Sequence, residues 1–228
     1  MTDKTTDTLA RPAELEASPV ESARDPSGER SQQIVTAAYD LMDEAGLEGL
    51  TIRAVLARTG LSRRAFYERF SGKDDLVLAV FEQTIRLAAE HFNGQVRDIA
   101  DPMARLELIV TCIVLGKSAP SEGIRDHSDL RGAAMSREHL RLAEARPADL
   151  QAALHPLIGL IARQLSEGMK AGVVREYAPQ RLAALVYNLV STTVHTELLA
   201  EEGGQSDRSR RVQLAEDIWE FCRRAIAA

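Results

Sequence analysis

The sequence predicts an all-α protein, a small N-terminal head of three helices in a helix-turn-helix pattern followed by a larger helical bundle. Three observations carry that reading. From Ser31 onward apolar residues recur at three- and four-residue intervals, and Val and Thr nowhere alternate with polar residues long enough to support strands. Gly46, Gly60 and Gly72 cut the first part of this pattern into short pieces. The chain has 228 residues, 45% of them hydrophobic, which is enough to bury a full core.

Each element follows in order. Residues 1–27 hold Pro12, Pro19 and Pro26 and few large apolar groups, so they are expected to form a disordered tail. The head is expected over 28–75. Its first helix covers about 31–45, with Ile34, Ala37, Ala38, Leu41 and Met42 on one stripe and Gly46 as the stop. Thr51 caps a short second helix whose inward positions are Ile52, Val55 and Leu56, and Gly60 ends it. Ser62 caps a third helix that buries Phe66 and Phe70. Two short helices joined by a glycine-containing turn make the helix-turn-helix.

The bundle is expected over 76–228. Asp74 and Asp75 suit the first turn of a helix reaching Phe92. A helix opens at Pro102, and a looser segment over 118–129 precedes another at about 130–145. The next runs from Pro147 to Ala171, with a kink expected at Pro156. Two more start at Pro179 and after the polar stretch 201–207. The last of these carries two apolar stripes, one through Ala215, Trp219 and Cys222 and one through Leu214, Ile218 and Phe221.

Charge is unevenly placed. The net charge is −6, yet residues 51–73 carry Arg53, Arg58, Arg63, Arg64, Arg69 and Lys73 against Glu68 alone, a local +5 that leaves −11 elsewhere. A basic island in an acidic chain focuses attraction for a polyanion on one surface. Cys112 and Cys222 are too few for a disulfide framework and read as reduced thiols of a cytoplasmic protein. No apolar run is long enough to span a membrane, and the N-terminus lacks the apolar stretch of a signal peptide. No catalytic motif is found. The five histidines are not spaced with each other or with cysteine as zinc ligands, and no phosphate-cradling glycine loop occurs. We therefore expect no enzyme, no metal and no cofactor.

Residues 30–76 resemble the DNA-binding domain of the tetracycline-repressor (TetR) family. The likeness rests on Arg30, Ile34, Ala37, Ala38 and Gly46, then on the run LTIRAVLARTGLSRRAFYERFSGKDDL from Leu50 to Leu76. This run holds the family's Leu-Thr-hydrophobic-Arg, its Gly-hydrophobic-Ser before the recognition helix, its aromatic pair with a Phe three residues on, and its Lys. Arg64-Ala65 stands where the family commonly has a small pair, and Arg69 where it commonly has His. A threonine hydroxyl is thus absent from the recognition helix and cationic forks are present.

The resemblance implies a homodimeric repressor that binds a palindromic double-stranded operator and releases it when a small molecule binds. A helix laid in the major groove presents its N-terminal residues to base edges, and arginine suits guanine's paired acceptors. Arg63 and Arg64 are therefore expected near bases, Ser62, Tyr67, Lys73 and the amides at Thr51 and Ser62 near phosphates, and Arg53 and Ala65 also at the DNA. The family's effector region implies a largely apolar pocket drawn from Phe92, Ile109, Cys112, Ile113, Met135, Leu157, Ile161 and Tyr187. His91, His155 and Asn188 would be its polar groups. The last two helices imply a dimer interface through Leu182, Val186, Val190, Val194, Trp219 and Cys222. The competing reading is a helical interaction protein on the same scaffold that has lost DNA binding and whose acidic remainder suits a basic partner.

Overall fold

The structure is a computed structural model that describes residues 26–116, 128–201 and 208–228. The expected tail falls almost wholly outside these residues, as do most of the looser segment over 118–129 and the polar stretch near 201–207. Nine helices are present among the described residues: α1 (Pro26–Gly49), α2 (Ile52–Thr59), α3 (Arg63–Tyr67), α4 (Lys73–Gln95), α5 (Pro102–Leu115), α6 (Ser128–Ala145), α7 (Pro147–Lys170), α8 (Pro179–Glu201) and α9 (Arg208–Ile226). No strand accompanies them there, only an isolated antiparallel bridge between Val174 and Ala227. The chain is all-α with an N-terminal helix-turn-helix, as the apolar spacing predicts.

The head is built by local rules. α1 loses helical geometry at Ala45 and Gly46, where Gly46 takes φ 63°, a left-handed conformation that costs other residues a Cβ clash. The chain turns there, and Leu50 drops into the core. Thr51 Oγ1 accepts from the Ala54 amide at 3.1 Å and so caps α2. Gly60 closes α2 in the left-handed conformation, its amide donating to the Leu56 carbonyl at 2.9 Å. Ser62 Oγ then accepts from the Ala65 amide and opens α3. Phe66, Phe70, Ile34, Ala38, Met42, Leu50 and Val55 are all buried together, which fixes α3 against α1 and α2.

The bundle wraps a second core. α7 packs against α4, α5 and α8, and α5 also lies on α9. Asp101 caps α5 by accepting from the Met103 amide at 3.0 Å, with Pro102 in the first turn where its missing N–H is harmless. Near the α5 start, Arg105 donates to the Ile99 carbonyl, to Gln164 Oε1 at 3.2 Å and to Glu167, tying α5 to α7. The C-terminus is pinned to the α7–α8 turn: the Arg175 amide donates to the Ile226 carbonyl and the Ala228 amide to the Val173 carbonyl. α7 runs as one helix with Pro156, the site of the expected kink, inside it.

Head and bundle are not separated by a linker. α4 is one continuous helix whose Leu76, Val77 and Val80 belong to the head core while Leu78 and Phe81 belong to the bundle core. α6 does the same from the other side, with Ala134 buried in the head core and Met135 packed against both. Charges reinforce the seam: Arg146, just before α7, donates to Asp75 Oδ1 at 3.0 Å and to Asp149 at 2.5 Å. Asp75 also accepts from the Ser71 amide and hydroxyl; the Ser71 bonds, with the Arg146 pairing, hold its carboxyl below the usual range.

Two outcomes follow from this packing. Phe66→Ala removes a fully buried ring and is expected to cost about 3–5 kcal/mol in urea unfolding, far more than any exposed substitution on α3. Because the Asp75 carboxyl is lowered in the folded state, its contribution is present at neutral pH and lost as pH falls through that lowered value. Asp75→Asn should therefore flatten the acid limb of the stability–pH profile and leave its alkaline limb unchanged.

Candidate nucleic-acid interface and effector core

The outward face of α2 and α3 gathers the basic residues that the sequence places there. Thr51, Arg53, Ser62, Arg63 and Arg64 are all exposed. The Arg64 side chain is 90% exposed and its Nε donates to Glu68 Oε1 at 3.0 Å, one helical turn away. That pair lies at the surface and is easily exchanged for another acceptor. Ala65 is half-buried and sits between the two arginines and Phe66. Tyr67 is 53% exposed: its ring packs edge-on against Phe66 at 5.3 Å and leaves the hydroxyl in solvent.

Two of the basic residues have structural partners. Arg58 forms a bidentate pair with Glu44 of α1, at 2.8 and 2.7 Å, which engages its charge. Lys73 is half-buried and its Nζ donates to the Leu47 carbonyl at 3.1 Å. This bond ties the start of α4 to the α1–α2 turn and leaves two further ammonium donors. Net positive charge on the face is thus smaller than the sequence suggests and is concentrated at Arg53, Arg63, Arg64, Arg69 and Lys73.

The expected effector residues divide three ways. Phe92, Ile109, Leu157, Ile161 and Tyr187 are buried in the common core of the bundle, and Cys112, Ile113 and Met135 pack against it half-buried. His91 is half-buried on α4 with a buried Nε2 that finds no hydrogen bond among the described residues. His155 and Asn188 instead face solvent on α7 and α8, away from the apolar interior. Sequence reasoning did not place His139, which the fold brings to the core from α6, with its ring 4.8 Å from that of His195 on α8. The signal existed, since His139 lies one turn after Met135, but its partner is distant in the chain. This pairing does not make a metal centre: no group of three His, Cys, Asp or Glu side chains suited to a metal occurs among the described residues.

The expected dimer residues are also redistributed. Leu182, Val186, Val190, Trp219 and Cys222 are buried in the core of their own chain, and Val194 packs half-buried against it. These positions close α8 and α9 onto α7 and α5. The large apolar side chains that α8 and α9 leave exposed are others: Leu185 at 55% exposure and Leu189, one turn apart on α8, and Val212 and Phe221, the latter at 64%, on α9.

Residues 34–80 match the family model for bacterial regulatory proteins of the tetR family. That match spans most of the head and the first turns of α4. Solved structures extend the likeness over nearly the whole chain. A TetR-family transcriptional regulator from Pectobacterium atrosepticum is 18% identical with a TM-score of 0.68, covering 90% of this chain and 97% of that one. The regulator FadR from Bacillus subtilis, solved with stearoyl-CoA, is 16% identical with a TM-score of 0.62, covering 84% and 96%. RolR, solved with resorcinol, is 15% identical with a TM-score of 0.62, covering 87% and 93%. At these identities the shared property is the fold: a tetR-type head on a helical bundle. No curated protein matches the chain in sequence.

Capping is the cheapest probe of whether this face is held as described. Thr51→Ala and Ser62→Ala each remove a side-chain acceptor from a helix start and are expected to cost about 1 kcal/mol of stability by chemical denaturation. Arg53→Ala, exposed on the same face, should leave stability within about 0.5 kcal/mol.

Proposed function

We propose that the chain is a ligand-responsive DNA-binding repressor, acting as a homodimer on a palindromic operator and released by a small, largely apolar inducer. The observation that carries this reading is the exposed pair Arg63 and Arg64 at the start of a recognition helix whose other face is locked into the head core by Phe66 and Phe70. Arginine forks at that place meet guanine O6 and N7 in the major groove. Tyr67, Ser62, Thr51 and the free donors of Lys73 lie around them as phosphate contacts that set register. The −11 carried by the rest of the chain discourages DNA from settling elsewhere.

A single head covers too little DNA for tight recognition, so two heads about 34 Å apart are needed. Exposed apolar side chains on α8 and α9, with Leu185 and Leu189 one turn apart on α8 and Phe221 on α9, offer surface to a second copy in a form that leaves each bundle's own core intact. The buried apolar interior shared by α4, α5, α7 and α8 suits a hydrophobic inducer. Support also comes from FadR and RolR, whose solved complexes hold stearoyl-CoA and resorcinol on the same fold. An inducer lowers operator affinity only through its differential affinity for the two arrangements of the heads. α4 and α6 are the levers, because both enter the head core.

Selection of bound fragments from the source genome, followed by salt titration of the best fragment, tests the reading. A repressor gives a discrete palindromic site and an affinity that falls linearly in log[salt]. Binding of all fragments alike, or of none, overturns it. Arg64→Ala should cost about 1–3 kcal/mol at the operator and relax one position in each half-site, with competitor DNA bound as before. Leu185→Asp with Phe221→Asp should convert a species of twice the 25.0 kDa chain mass into folded monomers in sedimentation. Val190→Asp, by contrast, places a charge in the fully buried core and should unfold the bundle.

A further inference from the structure

The bundle core contains one polar cluster that apolar packing does not account for. His195 on α8 is only 9% exposed, and neither its Nδ1 nor its Nε2 makes a hydrogen bond to any described residue. A buried donor and a buried acceptor left without partners are costly, and native structures rarely keep such a group without a use. Beside it stands His139 of α6, edge-on at 4.8 Å, and against the His139 ring lie Tyr187 of α8 and Phe81 of α4, at 5.9 and 6.2 Å. The Tyr187 hydroxyl is 3.4 Å from His139 Nδ1, so these two polar groups are already engaged with each other.

The surrounding charges define what the cluster can receive. Burial pushes the His139 imidazole down and, with the neighbouring His139 ring, pushes His195 down to about 4. Both rings are therefore neutral at pH 7, and a neutral imidazole offers one N–H donor and one bare nitrogen acceptor. Glu138, the nearest carboxylate in sequence, is buried but held by two bonds from Arg141, at 2.8 and 2.6 Å. A cationic ligand would find no available carboxylate among these groups, and a carboxylate ligand would require a depressed histidine to take up a proton. A hydroxyl, which donates and accepts at one atom, matches a neutral imidazole without burying charge.

We propose that His195, with His139 and Tyr187, forms the polar end of the effector site and selects a neutral aromatic hydroxyl compound, a phenol. The hydroxyl bonds to His195, and the ligand ring packs among the aromatic side chains beside it, displacing the His139 ring, where offset and edge-on ring contacts are favourable. The proposal rests on the effector-responsive reading above and names the ligand class of that site. It also supplies a route to the head: His139 follows Ala134 and Met135 on α6, the two residues that enter the head core, by about one turn. Displacement of the His139 ring by a bound ligand therefore bears on α6 where it meets α1.

Phenol and toluene have the same shape and differ in the hydroxyl, so they serve as the probes. Calorimetric titration of the full chain without DNA should show phenol bound about tenfold or more tightly than toluene, because toluene leaves the imidazole unpaired. Phenol should also shift the His195 ring resonances. His195→Phe should abolish the preference and raise the melting temperature of the free protein, since it removes unpaired polar atoms from the core; a histidine with only a packing role would lower it. Tyr187→Phe, which conserves the ring, reports independently by weakening phenol more than toluene. Equal binding of the two probes by the wild type, or an unchanged preference in His195→Phe, overturns the proposal. Failure here with intact operator binding removes the site and leaves the repressor reading standing. Phenol selectivity in a chain that binds no DNA removes the repressor reading and leaves the site.

Discussion

The seam between head and bundle is the constraint on which the rest of the molecule depends. Ala134 of α6 is buried in the head core, Met135 touches both cores, and α4 passes Leu76, Val77 and Val80 to one core and Leu78 and Phe81 to the other. A three-helix head of this size buries little surface alone and is marginal without help. Here it borrows apolar partners from two helices of the bundle. The same borrowing makes the orientation of α3 a property of the bundle, because no flexible linker intervenes to absorb a shift in α4 or α6. In the proposed function, recognition and regulation are thus joined by close packing, and packed interfaces switch between discrete arrangements instead of yielding gradually.

Electrostatics act on this scaffold in a secondary but directional way. Arg146 with Asp75 and Asp149, and Arg141 with Glu138 and Asp74, lie across the start of α4 and fix it against α6 and α7. Only Glu138 in this set is deeply buried, and its two bonds from Arg141 compensate its desolvation. Exposed pairs of this kind contribute modestly to stability. Their value lies in register, since they hold the first turn of α4, which begins at Lys73, where Lys73 reaches the α1–α2 turn. The arginines on the outward face of α3 then project from a rigid frame, as the proposed base recognition requires.

Legibility in the sequence followed the range of the interactions. The helix-turn-helix was readable because its determinants are local: Thr51 and Ser62 cap within three residues, Gly60 supplies the left-handed turn, and Phe66 and Phe70 are spaced for one helix face. The bundle's class was readable for the same reason. Which side of α8 faces inward was not, because Leu182, Leu185, Val186 and Leu189 cover both sides of the helix. Periodicity reports that a stripe is apolar, and only the fold decides whether its own chain or a second copy covers it. The meeting of His139 with His195 depends on how α6 crosses α8, and no local pattern encodes it. Lys73 illustrates a further limit, since a lysine suited to a phosphate also reaches a backbone carbonyl.

The dependence of the head on the bundle is tested most directly by native-state hydrogen exchange. Amides of α1 to α3 and of α4 to α8 are followed at increasing sub-denaturing urea. If the two cores are one cooperative unit joined through Ala134 and Met135, the most protected amides of the head and of the bundle converge on a single opening free energy. Met135→Ala should then lower that energy in both regions together. Separate plateaus, with the head opening at lower free energy while the bundle keeps its protection and Met135→Ala acting on one region only, would contradict the account.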